Sequence, residues 1–174
     1  MKPCKQPKHI KIGLVFYSVD AYFDPEKNST TTEVSEWYVR SIRALRGTIS
    51  RHGIKFRGGF QPRKYVNLTR KNAYTWVKKS RQHGDFGWAS SISKYDRQQF
   101  RLGDEHLPFG LYTTKLQAAK HERSALKNLL QDSEKWIANN PDADQVLIAE
   151  EKREVHGLQK SLAAIERRIK KLSH

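Results

Sequence analysis

Between Trp37 and Gly84 the chain carries 13 Lys and Arg residues and no Asp or Glu, over 48 residues. Interleaved with these cations are Trp37, Tyr38, Phe56, Phe60, Tyr65, Tyr74 and Trp76. The chemistry that suits such a stretch is binding to a polyanion. Each cation docked on a phosphate releases condensed counterions, while aromatic faces stack on bases or pack beneath guanidinium groups. Carboxylates in the same stretch would repel a phosphate backbone, so their absence strengthens the pattern. Arg40, Arg43, Arg57, Arg63, Lys64, Arg70, Lys71, Lys78 and Lys79 are the contact candidates. An acidic protein surface is the other partner that would satisfy these charges. A solvated basic surface over an aromatic core is the plain alternative.

Other chemistry is sparse. Asp20, Asp24, Glu26, Glu33 and Glu36 form an acidic group around the end of an apolar stretch, as in nucleases that hold Mg²⁺. An acidic loop that offsets neighbouring cations is the favoured reading of these five. The seven histidines (9, 52, 83, 106, 121, 156 and 174) include no pair four residues apart, and there is no Cys-x-x-Cys, so no zinc site is expected. No glycine-rich phosphate loop, nucleophile elbow or Ser/Cys–His pair is legible.

The elements that must position these residues follow from periodicity. His9 to Val19 is β-branched and aromatic and reads as a buried strand. Asp20 to Thr32 reads as a loop because of Asp24-Pro25 and Asn28-Ser29. Val34, Tyr38, Ile42, Leu45 and Ile49 fall four, four, three and four apart, which predicts a helix with Arg40 and Arg43 on its other side. A strand over Trp37 to Ile42 is the alternative. Gly53, Gly58 and Gly59 break the chain, and Arg57-Gly58-Gly59 reads as a tight turn. Leu68 to Ser80 reads as a short helix capped by Thr69, without the partner a helix-turn-helix needs. Trp88, Ser90 and Ile92 alternate as a strand, Lys94 to Arg97 turn, and Gln99 to Leu102 return.

Thr113 or Thr114 is expected to cap a helix running to about Asn139, with Leu116, Ala119, Leu126, Leu130 and Ile137 inward. Asn139 to Asp142 stop it, and Asp142 is placed to cap the next. Val155, Leu158, Leu162, Ile165, Ile169 and Leu172 then form a heptad-like seam. Two such helices would run about 39 and 45 Å, long enough for an antiparallel hairpin. The seam is expected to meet a partner helix, either within the chain or in a homodimer or foreign protein.

The 174 residues suit one domain with an appendage, large enough to bury a core without disulfides or metal. A mean hydropathy of −0.80 is polar, yet four Trp, seven Tyr and seven Phe argue against wholesale disorder. No apolar run exceeds four residues, as at Leu14 to Tyr17, which excludes a helical membrane span, and no secretory leader is expected after the basic start. The lone Cys4 fits a reducing, cytoplasmic compartment. Net charge is +15, and most of the excess precedes Thr113.

Gly87-Trp88, Ala89 and Ile92, then Arg97 to Leu102-Gly103, Tyr112-Thr113-Thr114 and Ala118-Ala119, form a recognisable order. On these residues, 84–125 resemble the sheet-plus-helix DNA-binding modules of plant ethylene-response factors and of the arm-binding domains of tyrosine integrases. The resemblance covers about a quarter of the chain. Asp104 to Gly110 intervene where the family's cap follows closely, and no first strand lies just upstream of Trp88. It implies a three-stranded sheet laid in the DNA major groove, with Trp88, Ser90, Arg97, Gln99 and Arg101 facing the groove.

The expectation is an α+β fold: a small antiparallel sheet with packed helices, then a C-terminal antiparallel helical hairpin. Residues 1–112 form the basic domain and 113–174 the hairpin. The expected function is non-enzymatic nucleic-acid binding without a cofactor, with DNA preferred over RNA. The alternative is a small protein-binding regulator or inhibitor, of phage or mobile-element type, acting on a nucleoprotein machine. A Mg²⁺-dependent nuclease is the more distant reading.

Overall fold

A computed structural model describes residues 3–45, 48–51, 54–57, 63–71, 74–78 and 88–173. Its strands are β1 (Val15–Asp24), β2 (Ser29–Leu45), β3 (Thr48–Arg51), β4 (Ile54–Arg57), β5 (Arg63–Arg70), β6 (Tyr74–Lys78), β7 (Trp88–Ile92) and β8 (Arg97–Arg101). Helices α1 (Lys115–Asn139) and α2 (Gln145–Leu172) follow. The main sheet has the order β1-β2-β5-β8, and β3/β4 and β6/β7 form two-stranded ribbons. The fold is α+β with a C-terminal helical hairpin. No helix among the described residues is long and apolar enough to cross a membrane.

Two compact units divide the chain. One comprises Pro3–Phe16 and Glu36–Pro108, and the other takes in Tyr17–Ser35 and Phe109–His174. In the first, Phe16, Val39, Val66 and Leu68 are almost wholly buried, and Phe16 meets Phe100 edge-on at 5.8 Å. In the second, Leu111, Ala118, Ala119, Leu126 and Ile165 are buried. The seam positions Val155, Leu158, Leu162, Ile169 and Leu172 are half-buried around fully buried Ile165. Thr114 caps α1, its hydroxyl accepting from Gln117 N at 3.2 Å. Asp144, rather than Asp142, caps α2 by accepting from Val146 N at 2.8 Å.

Five sequence expectations are corrected. The first strand begins at Val15, after a turn in which Gly13 takes φ +90°, and not at His9. The expected loop over Asp20 to Thr32 is a strand–turn–strand. Asp24 Oδ1 accepts from the backbone N–H groups of Glu26 and Lys27, and Asn28 adopts φ 46°, so the reversal is confined to Pro25–Asn28.

The expected helix from Glu33 is β2. Its spacing of four fits a period of two as well as 3.6, and burial alternates through Ser35, Trp37 and Val39. The Thr30-Thr31-Thr32 run favours the extended backbone. The expected helix over Leu68 to Ser80 is instead β5 and β6, so no helix-turn-helix forms there. Thr69 lies buried in the sheet, accepting from Arg40 rather than capping a helix.

The strand, turn and returning strand expected from Trp88 to Leu102 form, but the two strands do not pair with each other as a hairpin. β7 pairs with β6 and β8 with β5, both antiparallel. Thr69↔Arg97 and Tyr74↔Ile92 keep the same pairing offset, on either side of the short 3-10 turn Lys94–Asp96. Gly53, Gly58 and Gly59 lie outside the described residues.

Candidate nucleic-acid interface

Side chains alternate along each strand, so the pairing register determines which residues share a face. Val66 and Leu68 of β5 point into the core, leaving Tyr65, Asn67 and Thr69 on the other face. Opposite them on β8 stand Arg101, Gln99 and Arg97. On β2 the partners are Arg43, Ser41 and Tyr38. The β2/β5 register shifts between Val39 and Ser41, which makes Arg40 the extra residue of a bulge and keeps Ser41 and Arg43 on this outward face.

Three strands are tied together across that face by side chains. Gln99 Nε2 donates to Asn67 Oδ1 at 2.8 Å, and Asn67 Nδ2 donates to Ser41 Oγ at 3.1 Å. Arg40 Nε donates to Thr69 Oγ1 at 2.7 Å, and its guanidinium lies 5.5 Å from the Tyr38 ring centroid. Ser41, Arg43, Asn67, Thr69, Arg97 and Gln99 line a trough of about 640 Å³. Arg43, Arg97, Gln99 and Arg101 are exposed. Arg101 Nε lies 3.7 Å from Asp104 Oδ1, both half-exposed, a pairing water and salt weaken readily. From Trp37 to Leu45, along β5 and along β8, no position is Asp or Glu. The result is a polar hydrogen-bonding ladder bordered by guanidinium groups.

The face thus gathers Arg40, Arg43, Arg97, Gln99 and Arg101, and Arg63 shares its strand parity. Lys64 and Arg70 have the opposite parity. Arg70 instead sits 5.9 Å from the Trp37 ring and 3.9 Å from Asp96. Lys71 binds Glu36 at 3.0 Å, and that hydrogen bond and charge raise its pKa. Arg57 ends β4, Lys78 ends β6, and Trp88 opens β7 two residues before Ser90. Lys79 lies outside the described residues. Ser41, Asn67 and Thr69 are members of the face that sequence reading missed. A period of two over Tyr65, Asn67 and Thr69 was the signal available for β5.

Comparison with protein-family models, with curated proteins and with solved structures finds no match to this chain.

The acidic group of the sequence is spread over several local roles. Asp24 holds its turn and pairs with Lys27 at 3.1 Å, and Glu36 pairs with Lys71. Among the described residues no three His, Cys, Asp or Glu converge as metal ligands would. In the helical unit, His121 is buried against Tyr112 Oη, and burial holds its pKa below the usual imidazole value. Burial raises the pKa of Glu122, opposed by the Ala21 N–H that donates to it at 3.1 Å.

Proposed function

We propose that the chain binds duplex nucleic acid, DNA in preference to RNA, through the outward face of β2, β5 and β8, and that it does so as a binding protein without catalysis. The observation that carries this reading is the Ser41–Asn67–Gln99 ladder bordered by Arg43, Arg97 and Arg101. Arginines supply the salt-dependent attachment to phosphate. Asn and Gln side chains supply the donor–acceptor pairs that read base edges, above all adenine.

Dimensions favour duplex DNA. Three strands at about 4.8 Å spacing are about 10 Å across, close to the roughly 12 Å width of the B-form major groove. The major groove of A-form RNA is too deep and narrow for side chains to read. The resemblance of residues 84–125 to sheet-based DNA-binding modules points the same way, although only β8 of the present face comes from that segment. In sequence, the β3/β4 ribbon lies between β2 and β5 and carries Arg51, Lys55 and Arg57.

The test is equilibrium binding of the purified chain to labelled duplexes of DNA and RNA with matched sequence and length. DNA should bind more tightly at physiological salt. Absence of binding to either duplex would overturn the proposal.

A further inference from the structure

The far end of the helical hairpin is charged against the rest of the chain. The protein carries +15 overall, yet residues 128–151 hold Asp132, Glu134, Asp142, Asp144, Glu150 and Glu151 against Lys135 alone. Exposed among these acids are Leu129 (53%), Trp136 (37%), Val146 (63%) and Leu147 (50%).

Helical geometry explains why these apolar side chains are bare. Leu129 and Trp136 are seven residues apart and share a stripe of α1 beside buried Leu126 and Ser133. Leu147 precedes Leu158 and Ile165 by whole numbers of turns and continues the α2 seam to its turn-proximal end, where it stays half exposed. Nearer the base, the β1–β2 hairpin covers the helices. Phe23 meets His156 edge-on at 5.9 Å, and Lys160 Nζ donates to Asn28 Oδ1 at 2.7 Å. Towards the turn, Leu129, Trp136, Val146 and Leu147 are exposed.

We infer that this distal face is a docking surface for a cationic amphipathic segment of a partner protein. Clustered exposed apolar side chains with a large aromatic anchor are what such surfaces use. The surrounding carboxylates select a basic partner and repel nucleic acid. They also disfavour a second copy docking face to face, because a two-fold pairing would set the same acids against each other. A helix carrying leucines on one side and lysines on its flanks fits both requirements.

The test uses the full chain and a fluorescent amphipathic peptide of leucine and lysine, with a leucine–glutamate peptide of the same pattern as control. Anisotropy should show the lysine peptide binding at least about tenfold more tightly than the control. Trp136→Ser combined with Leu147→Ser should weaken the lysine peptide at least about tenfold, with helicity unchanged. Because those changes touch packing, a second variant alters only exposed acids. Asp132→Lys with Glu150→Lys should weaken the lysine peptide and strengthen the glutamate one. Equal binding of both peptides, or unchanged affinity in both folded variants, would overturn the inference. So would a concentration-dependent dimer in sedimentation that these variants dissolve, since a second copy would then occupy the face.

Discussion

Gln99 and Asn67 face each other across the β5/β8 ladder, and the amide of one donates to the carbonyl of the other at 2.8 Å. Asn67 passes the connection to Ser41 on β2, so three strands present amide and hydroxyl groups in a fixed row. Fixing side chains before binding lowers the entropy lost on recognition, and it constrains which base edges the row can meet. Asn67→Ala should therefore reduce discrimination between DNA sequences while leaving the salt dependence of binding unchanged. One of its two hydrogen bonds is part-buried and the other exposed, so the stability cost should be about 1 kcal/mol. Competition binding with mixed-sequence duplexes, alongside urea unfolding, separates the two effects.

The platform beneath that row depends on a small aromatic core. Phe16 is fully buried and meets Phe100 edge-on. Phe16→Ala should cost about 3–5 kcal/mol, a large part of the stability expected for a chain of this size. Chemical denaturation should show the loss, and DNA binding should fall with the folded fraction.

Ile165 is the buried centre of the α2 seam. Ile165→Ala should cost about 2–5 kcal/mol, and Leu162→Asp with Ile165→Asp should collapse the hairpin by placing carboxylates in an apolar interface. Circular dichroism would read the second change as a drop in helicity. Retained helicity and melting temperature would show that the seam does not hold α1 and α2 together.

His121 supplies a pH dependence of defined sign. Its folded pKa lies below the ordinary value, so protonation favours the unfolded chain. The stability tied to its neutral form is present above about pH 6.5, the usual imidazole value, and is lost as pH falls through the folded pKa. His121→Asn keeps a polar partner for Tyr112 and cannot titrate there. Melting curves across this range should fall less steeply for the variant than for the unaltered chain.

The helical half was legible because its signals do not compete. The threonine before α1, the Pro141 break and the Leu158–Ile165 seam all belong to one period. The sheet was harder to read. Val34, Tyr38 and Ile42 are four apart, which suits a helix and a strand alike, and only the β-branched approach favoured the strand. Thr69 reads locally as a cap, but its hydroxyl is used by Arg40, a residue 29 positions away. Arg97, Gln99 and Arg101 were named through the family resemblance. Their neighbours Asn67 and Ser41 were not, because strand partners depend on long-range register. Arg40 and Arg43 stand out by their charge and by lying off the apolar stripe. The bulge that puts Ser41 and Arg43 on one face leaves no mark in composition.

The most direct measurement is the salt dependence of duplex DNA binding by the unaltered chain and by a variant with Arg43, Arg97 and Arg101 all changed to Ala. All three side chains are exposed, so the fold should survive. If each neutralises one phosphate, the slope of log affinity against log salt should become shallower by about 2.7. Affinity at physiological salt should fall by about two orders of magnitude or more. An unchanged slope and affinity in a folded variant would contradict the assignment of this face as the nucleic-acid interface.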